Sequence, residues 1–230
     1  MVRGDSEEGR ESVSEEVRAA AARGGGVLLR LLHWPVLTLG PGRRIGIWFQ
    51  GCSIGCDGCL APENRPFDST RKVPLDVVEQ SLRDLLDREE VDGVTISGGE
   101  PFDQPEALGA IVGMLRGLGV DDVLVYSGYG KEHLLREHPE TIGALAALVD
   151  GPFVRGAFTD AVWKGSANQT LTVFNPKFDE RYALWSTGTK GRLQTVRYMD
   201  EVHLVGIPRQ QDVPSLVSKV RNALRRNGKR

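Results

Sequence analysis

The sequence predicts an α/β fold. Short β-like apolar runs alternate with segments whose apolar residues recur at three- and four-residue spacing, and glycine or proline turns separate them. Such strand, turn, helix repeats imply parallel strands joined by right-handed crossover helices. The repeating region, Arg43 to Gly206, is well short of the roughly 250 residues of a closed eight-fold barrel. An open, partial β/α barrel or a short parallel sheet is therefore expected.

The elements follow in order. Residues 1–26 are rich in Glu, Ser, Ala and Arg and end in Gly24-Gly25-Gly26, which predicts a mobile tail with a short helix over Val13 to Arg23. Apolar residues become dense from Val27, and Gly40-Pro41-Gly42 forms a turn into a strand over Ile45 to Gln50. Leu75, Val78, Leu82 and Leu85 share one helical face behind Pro74, a residue suited to a helix start. Val94 to Ile96 is a strand stopped by Gly98-Gly99; Leu108, Ile111, Leu115 and Leu118 line a second helix, with Gly119 at its end. Asp122 to Tyr126 is the next strand, and Pro139 divides the helical material after Lys131 into two pieces. Strands follow at Ala146 to Asp150, Gln169 to Phe174 and Glu201 to Gly206, and residues 207–230 form an amphipathic helix with a basic tail. Residues 27–206 then constitute the core domain.

Composition excludes several classes. The 29 basic residues nearly balance the 31 acidic ones, for a net charge of −2, whereas nucleic acid or anionic membrane binders need surplus basic charge. No apolar run approaches the roughly 20 residues of a membrane span, and MVRGDSEEGR lacks the apolar core of a secretory signal, so a cytoplasmic location is expected.

The three cysteines, Cys52, Cys56 and Cys59, are the only ones in the chain. They make a poor disulfide framework and a good set of thiolate ligands in a reducing compartment, with Gly55 and Gly58 allowing a tight loop. A structural zinc wants a fourth ligand, which one of the remote residues His33, His133, His138 or His203 would have to supply. An iron-sulfur cubane on three thiolates instead leaves one iron open to a substrate or cofactor. The cysteines, Gly98-Gly99-Glu100, Ser127-Gly128 and Asp150-Gly151 each follow a predicted strand, so they should converge on one rim, where α/β folds collect ligands.

Cys52-x3-Cys56-x2-Cys59 after a strand, followed by Gly98-Gly99-Glu100 at the end of the next, resembles the radical S-adenosylmethionine superfamily. Gly40-Pro41-Gly42-Arg43-Arg44 through Phe49-Gln50-Gly51-Cys52 is similar to the approach to the cluster in activating enzymes of glycyl radical proteins. Cys56-Asp57-Gly58-Cys59-Leu60-Ala61-Pro62-Glu63, Ser97 to Phe102, Tyr126 to Tyr129, Val149 to Phe153 and Gly165 to Gln169 resemble the activating proteins of anaerobic ribonucleoside-triphosphate reductases. The likeness runs from about Leu28 to Phe174. Gly58 stands where the superfamily commonly has an aromatic residue, a glycine the reductase activators share; Thr170 stands where they usually have Arg, and the chain continues through Trp185 to Arg230, longer than a minimal activator.

The resemblance implies a partial β/α barrel of the radical S-adenosylmethionine type. Cys52, Cys56 and Cys59 would hold a [4Fe-4S] cluster, and S-adenosyl-L-methionine would chelate its open iron. Reductive cleavage would give a 5′-deoxyadenosyl radical that abstracts a hydrogen atom, with flavodoxin or ferredoxin as electron donor. Gly98, Gly99 and Glu100 would meet the cofactor's ammonium group, and Ser127, Asp150 and Asn168 its carboxylate, ribose or neighbouring groups, with Gln169 near. No side chain is assigned catalysis beyond the cluster and cofactor. Arg44 would balance the cluster's charge or pair with a surface carboxylate, and the four tryptophans are core or rim. The implied substrate is a glycyl radical protein; a peptide or small metabolite is the alternative enzyme reading, and a non-catalytic zinc or iron-sulfur module a more distant one.

Overall fold

The computed structural model describes residues 25–189, 193–198, 201–213 and 215–216. The elements are β1 (Gly26–Val36), β2 (Arg44–Phe49), β3 (Lys72–Pro74), α1 (Leu75–Arg88), β4 (Gly93–Gly98), α2 (Pro105–Gly117), β5 (Val123–Tyr126), α3 (Lys131–Glu137), α4 (Pro139–Gly143), β6 (Ala147–Asp150), β7 (Thr170–Val173), α5 (Asp179–Ser186), β8 (Gln194–Tyr198) and β9 (Glu201–Val205). Almost all of the N-terminal tail, with its expected short helix, lies outside the described residues. So does the expected C-terminal helix beyond Leu216, with the basic tail.

Seven strands form one sheet in the order β3-β1-β2-β4-β5-β6-β7. The β2, β4, β5 and β6 strands run parallel, as the alternating pattern predicts. The flanks differ: β1 pairs antiparallel with β2 and β3, and β7 returns antiparallel to β6 with no intervening helix. The Glu201 strand, expected in the parallel array, instead pairs with β8 in a separate two-stranded ribbon. The long β1 strand, β8 and α5 carried no clear periodicity and are found only in the structure.

Two-residue alternation divides the sheet into two chemically different faces. Ile45, Ile47 and Phe49, with Val94, Ile96, Val123, Val125 and Leu148, pack against α1 through Leu75, Val78 and Leu82 and against α2 through Leu108, Ile111 and Leu115. The other face carries Leu124, Ala147 and Val149 against Phe178 and Tyr182 of the α5 region, and Leu31, Val36 and Leu39 against Val196 and Val205 of the ribbon. Pro139 does divide α3 from α4, occupying the first turn of α4, where its missing N–H costs nothing.

Arg44 opens β2 and is wholly buried at the amino-terminal end of the parallel strands. Its Nε donates to Thr95 Oγ1 at 2.7 Å and its Nη2 to Val94 O at 2.7 Å and Asp122 Oδ1 at 3.0 Å. Tyr182 donates its hydroxyl to the same Asp122 Oδ1 at 2.6 Å. Burial opposes charge on this guanidinium, yet Tyr182 and Asp122 raise its pKa above the ordinary value. Neither expected role for Arg44 holds: its partner is a buried carboxylate, at the end of the strands opposite the cysteines.

Candidate active site

The site begins where β2 ends. Gln50 sends its Nε2 to Glu63 O at 3.1 Å and Pro66 O at 2.7 Å, closing the base of the loop that carries the cysteines. Gly51 N donates to Asn64 O at 2.8 Å and Cys52 N to Arg65 O at 2.9 Å, so the loop folds back upon its own exit. Gly55 and Gly58 have φ of 69° and 67°, the left-handed region where a side chain is strained, which is the physical need for glycine between these cysteines. Ser53 fixes the loop from outside: its N donates to Asp103 Oδ2 at 2.6 Å and its Oγ to Asp103 Oδ1 at 3.0 Å, while Tyr129 donates its hydroxyl to that Oδ1 at 2.7 Å.

All three cysteines are free thiols and partly buried. Burial pushes the Cys59 thiol up, and the neighbouring Cys56 and Cys52 add to the rise, while the Ala61 backbone and the Arg65 guanidinium oppose it. Among the described residues no three His, Cys, Asp or Glu side chains converge closely enough for one metal ion. A single zinc would draw its sulfurs to about 2.3 Å from one point. A cubane binds each thiolate to a different iron and so asks for wider spacing.

Gly98-Gly99-Glu100 forms the next wall. Gly99 N donates to Phe49 O and Glu100 N to Gly51 O, both at 2.8 Å, so the two loops are laced together backbone to backbone. A Cβ on Gly99 would lie 2.0 Å from Gly51 O, which explains the glycine by close approach. The Glu100 carboxylate is buried and spoken for: Phe102 N (3.0 Å) and Ser127 Oγ (2.8 Å) donate to Oε1, and Gly128 N (2.7 Å) to Oε2. Burial pushes its pKa up to about 7, against the pull of those three donors. Glu100 thus joins the end of β4 to the end of β5.

These loops enclose a cavity of about 510 Å³. Cys52, Cys56, Cys59, Gly98, Gly99, Glu100, Ser127, Gly128 and Gly151 all line it, so the expected convergence on one rim occurs. Asp150 and Asn168 stand behind the wall. Asp150 accepts from Lys131 N at 2.9 Å and from the Thr170 hydroxyl, and Asn168 donates to Pro152 O at 2.8 Å. Their neighbours Gly151 and Gln169 face the cavity instead, Gln169 bridging Gly165 N and Gly151 O. Ile54, Leu60 and Phe153 also line it without having been singled out, since a lone apolar loop residue carries no periodic signal.

A family model described as a 4Fe-4S single cluster domain matches residues 38–172. The chain belongs to that family. It is 33% identical over 151 residues to the anaerobic ribonucleoside-triphosphate reductase-activating protein of Haemophilus influenzae, covering 63% of this chain and 97% of that one. Proteins of the same name from Salmonella typhi and Escherichia coli K12 are each 27% identical over 146 residues, or 60% of this chain and 94% of theirs. The family match and these relatives identify an activase-like radical S-adenosylmethionine protein, an enzyme of the activating type. The matched span contains the whole cysteine loop and the Gly98-Gly99-Glu100 clamp but ends before α5, β8 and β9. Among the described residues no helix is long and apolar enough to cross a membrane.

Proposed function

We propose that the chain is a radical S-adenosylmethionine activating enzyme that abstracts a hydrogen atom from a glycine of a partner protein, as in the activation of an anaerobic ribonucleotide reductase. Residues 27–206 act in this reading as one catalytic unit, with 1–26 and 207–230 as appendages. The observation that carries it is the meeting of three free thiols and the Gly98-Gly99 backbone around one cavity. Its volume lies in the range of small-molecule and cofactor pockets. Four parallel strands with α1 and α2 on one face, bounded by antiparallel strands, suit an opened barrel with that cavity at its mouth.

The donor set fits the groups implied. Cys52, Cys56 and Cys59 would hold a [4Fe-4S] cluster, and the left-handed Gly55 and Gly58 let one short loop present all three sulfurs. S-adenosyl-L-methionine would lie against Gly98 and Gly99, where the absence of Cβ atoms permits backbone carbonyls to accept from its ammonium group. When bound, the pair supplies one-electron cleavage of a sulfonium and a carbon radical able to take hydrogen. The chain's own task is position and exclusion of water: Asp103 and Tyr129 fix the cysteine loop through Ser53, and Glu100 fixes the facing loop. Ser127 lines the cavity but spends its hydroxyl on Glu100, so its contribution to the cofactor is indirect. Asp150 and Asn168 likewise act by holding Gly151 and Gln169 in the wall. The electron would come from a flavodoxin or ferredoxin.

Anaerobic reconstitution with iron and sulfide tests this reading. A brown protein that forms 5′-deoxyadenosine from S-adenosylmethionine under reduction, and an organic radical on an added glycyl radical protein by electron paramagnetic resonance, are expected. A protein that binds only zinc and forms no 5′-deoxyadenosine refutes it. Cleavage with no protein radical would favour direct action on a peptide or metabolite.

A further inference from the structure

The cavity has two halves of different origin. One is the rim of cysteines and glycine loops inside the matched span 38–172. The other is roofed by residues beyond that span, among them Leu193, Val202, Leu204, Ile207 and Pro208. The family model ends at residue 172, so this roof lies outside the span that defines the family.

The roof is a strap latched at both ends by glutamines. Gln194 Oε1 accepts from Leu37 N at 2.6 Å and its Nε2 donates to Pro35 O at 2.9 Å, beside the turn after β1. Gln210 Oε1 accepts from Gly156 N at 2.8 Å and its Nε2 donates to Gly165 O at 3.1 Å, on the loop between β6 and β7. Between the latches, alternation along β9 sets Val202 and Leu204 in the cavity lining, while Val205 is buried against Leu31, Val36 and Leu39. Leu204 remains 41% exposed, an aliphatic side chain at the cavity wall. Leu39 of the turn after β1 and Trp48 of β2 complete this half.

Among the described residues no Lys, Arg or His lines the cavity, and the acidic ones that do, Glu63 and Glu100, belong to the rim half. A phosphate, carboxylate or other charged group would find no counter-charge among the described residues under the strap, whose lining is aliphatic. A cofactor used throughout a family is held by what the family shares, whereas a wall outside the family span is free to serve a particular substrate. We propose that the space beneath the strap is a substrate subsite for a neutral aliphatic group, delivered beside the atom from which hydrogen is taken. This rests on the reading that the rim half holds the cofactor.

Ligand-detected saturation-transfer NMR on the full-length chain tests the subsite without requiring turnover. N-acetyl-leucinamide should bind saturably, with its methyl groups receiving the most saturation, and the polar near-isostere N-acetyl-asparaginamide should not. Leu204→Ala, a change at a half-exposed position the fold should tolerate, should weaken leucinamide binding at least about threefold, in line with the loss of buried methyl groups. S-adenosylmethionine affinity of the same variant, measured by calorimetry, should stay within about twofold. An extended acetyl-Leu-Gly-Leu-amide gaining about tenfold over the single residue would assign the aliphatic group to a partner polypeptide, and no gain would assign it to a free small molecule; either result supports the subsite. Equal binding of the two amides, no effect of Leu204→Ala, or a parallel loss of S-adenosylmethionine affinity overturns it. If leucinamide binds as expected while the reconstituted enzyme cleaves no S-adenosylmethionine, the subsite stands and the proposed activity fails.

Discussion

The two ends of the parallel strands make opposite use of polar side chains. At the amino-terminal end Arg44, Thr95, Asp122 and Tyr182 form a buried cluster in which Arg44 donates from every guanidinium nitrogen and Asp122 accepts from Arg44, Tyr182 and Arg181. At the carboxyl-terminal end three thiols stand free around a cavity, and the groups that are satisfied, Glu100 with Ser127 on one side and Asp103 on the other, tie the loops in place. A polar cluster whose valences are all used is structure; one that leaves donors facing empty volume is a place for a ligand. Arg44 could not be sorted between these classes from sequence, because Gly40-Pro41-Gly42-Arg43-Arg44 lies near the cysteines along the chain but a full strand away from them in space.

Exchanging damage between the two ends sharpens the contrast. The largest effect is expected from Cys56→Ala, which should abolish both iron uptake and 5′-deoxyadenosine formation while leaving the melting temperature of the metal-free chain nearly unchanged; retained cluster absorbance would remove Cys56 from the ligand set. Asp122→Ala should do the reverse, costing about 3 to 5 kcal/mol in chemical unfolding by stranding Arg44 in the interior. Its folded fraction should still take up iron. A loss under about 1 kcal/mol would mean that water reaches Arg44 and the amino-terminal cluster is not sealed.

Glu100 supplies a pH signature at the carboxyl end. Its folded pKa, about 7, stands above the ordinary value of 4.5, so the folded chain holds this proton more tightly than the unfolded chain. The stabilising contribution is therefore complete below about pH 4.5 and falls away as pH rises toward 7, by on the order of 3 kcal/mol. Urea unfolding across that window should show the decline in the wild type and lose it in Glu100→Gln. That variant should also be less stable at every pH, since an amide NH₂ meets Gly128 N–H where a carboxylate oxygen accepted from it. Identical slopes in the two proteins would dismiss the buried carboxyl as their source. The smallest change is Tyr126→Phe. The Tyr126 hydroxyl is buried and finds no partner among the described residues, so removing it should raise stability by about 1 kcal/mol, and a loss would reveal a bonded hydroxyl.

Much of this was legible in the sequence because it is local. Short apolar runs bounded by glycine turns gave β2, β4, β5 and β6, three-four spacing gave α1 and α2, and Pro139 gave the break between α3 and α4. Glycines after successive strands were enough to bring the cysteines, Gly98-Gly99 and Ser127-Gly128 to one rim, since parallel strands end on the same side. The errors were of register and partner. One residue of alternation decides that Gly151 and Gln169 face the cavity while Asp150 and Asn168 bind the loops behind it, and no pattern within either motif encodes that choice.

The sequence by itself determined the chemistry on offer: three thiolates in a glycine-bearing loop, a second glycine pair, and an α/β frame to present them. Only the tertiary structure decided what those groups face. It made the Glu100 carboxylate a tie between two strand ends, set Arg44 at the far end of the sheet, and drew the ribbon of β8 and β9 across the cavity. The physical reason is range: turns and periodicity act over a few residues, whereas the partners of Glu100, Arg44 and Gln194 lie 27, 78 and 157 positions away along the chain.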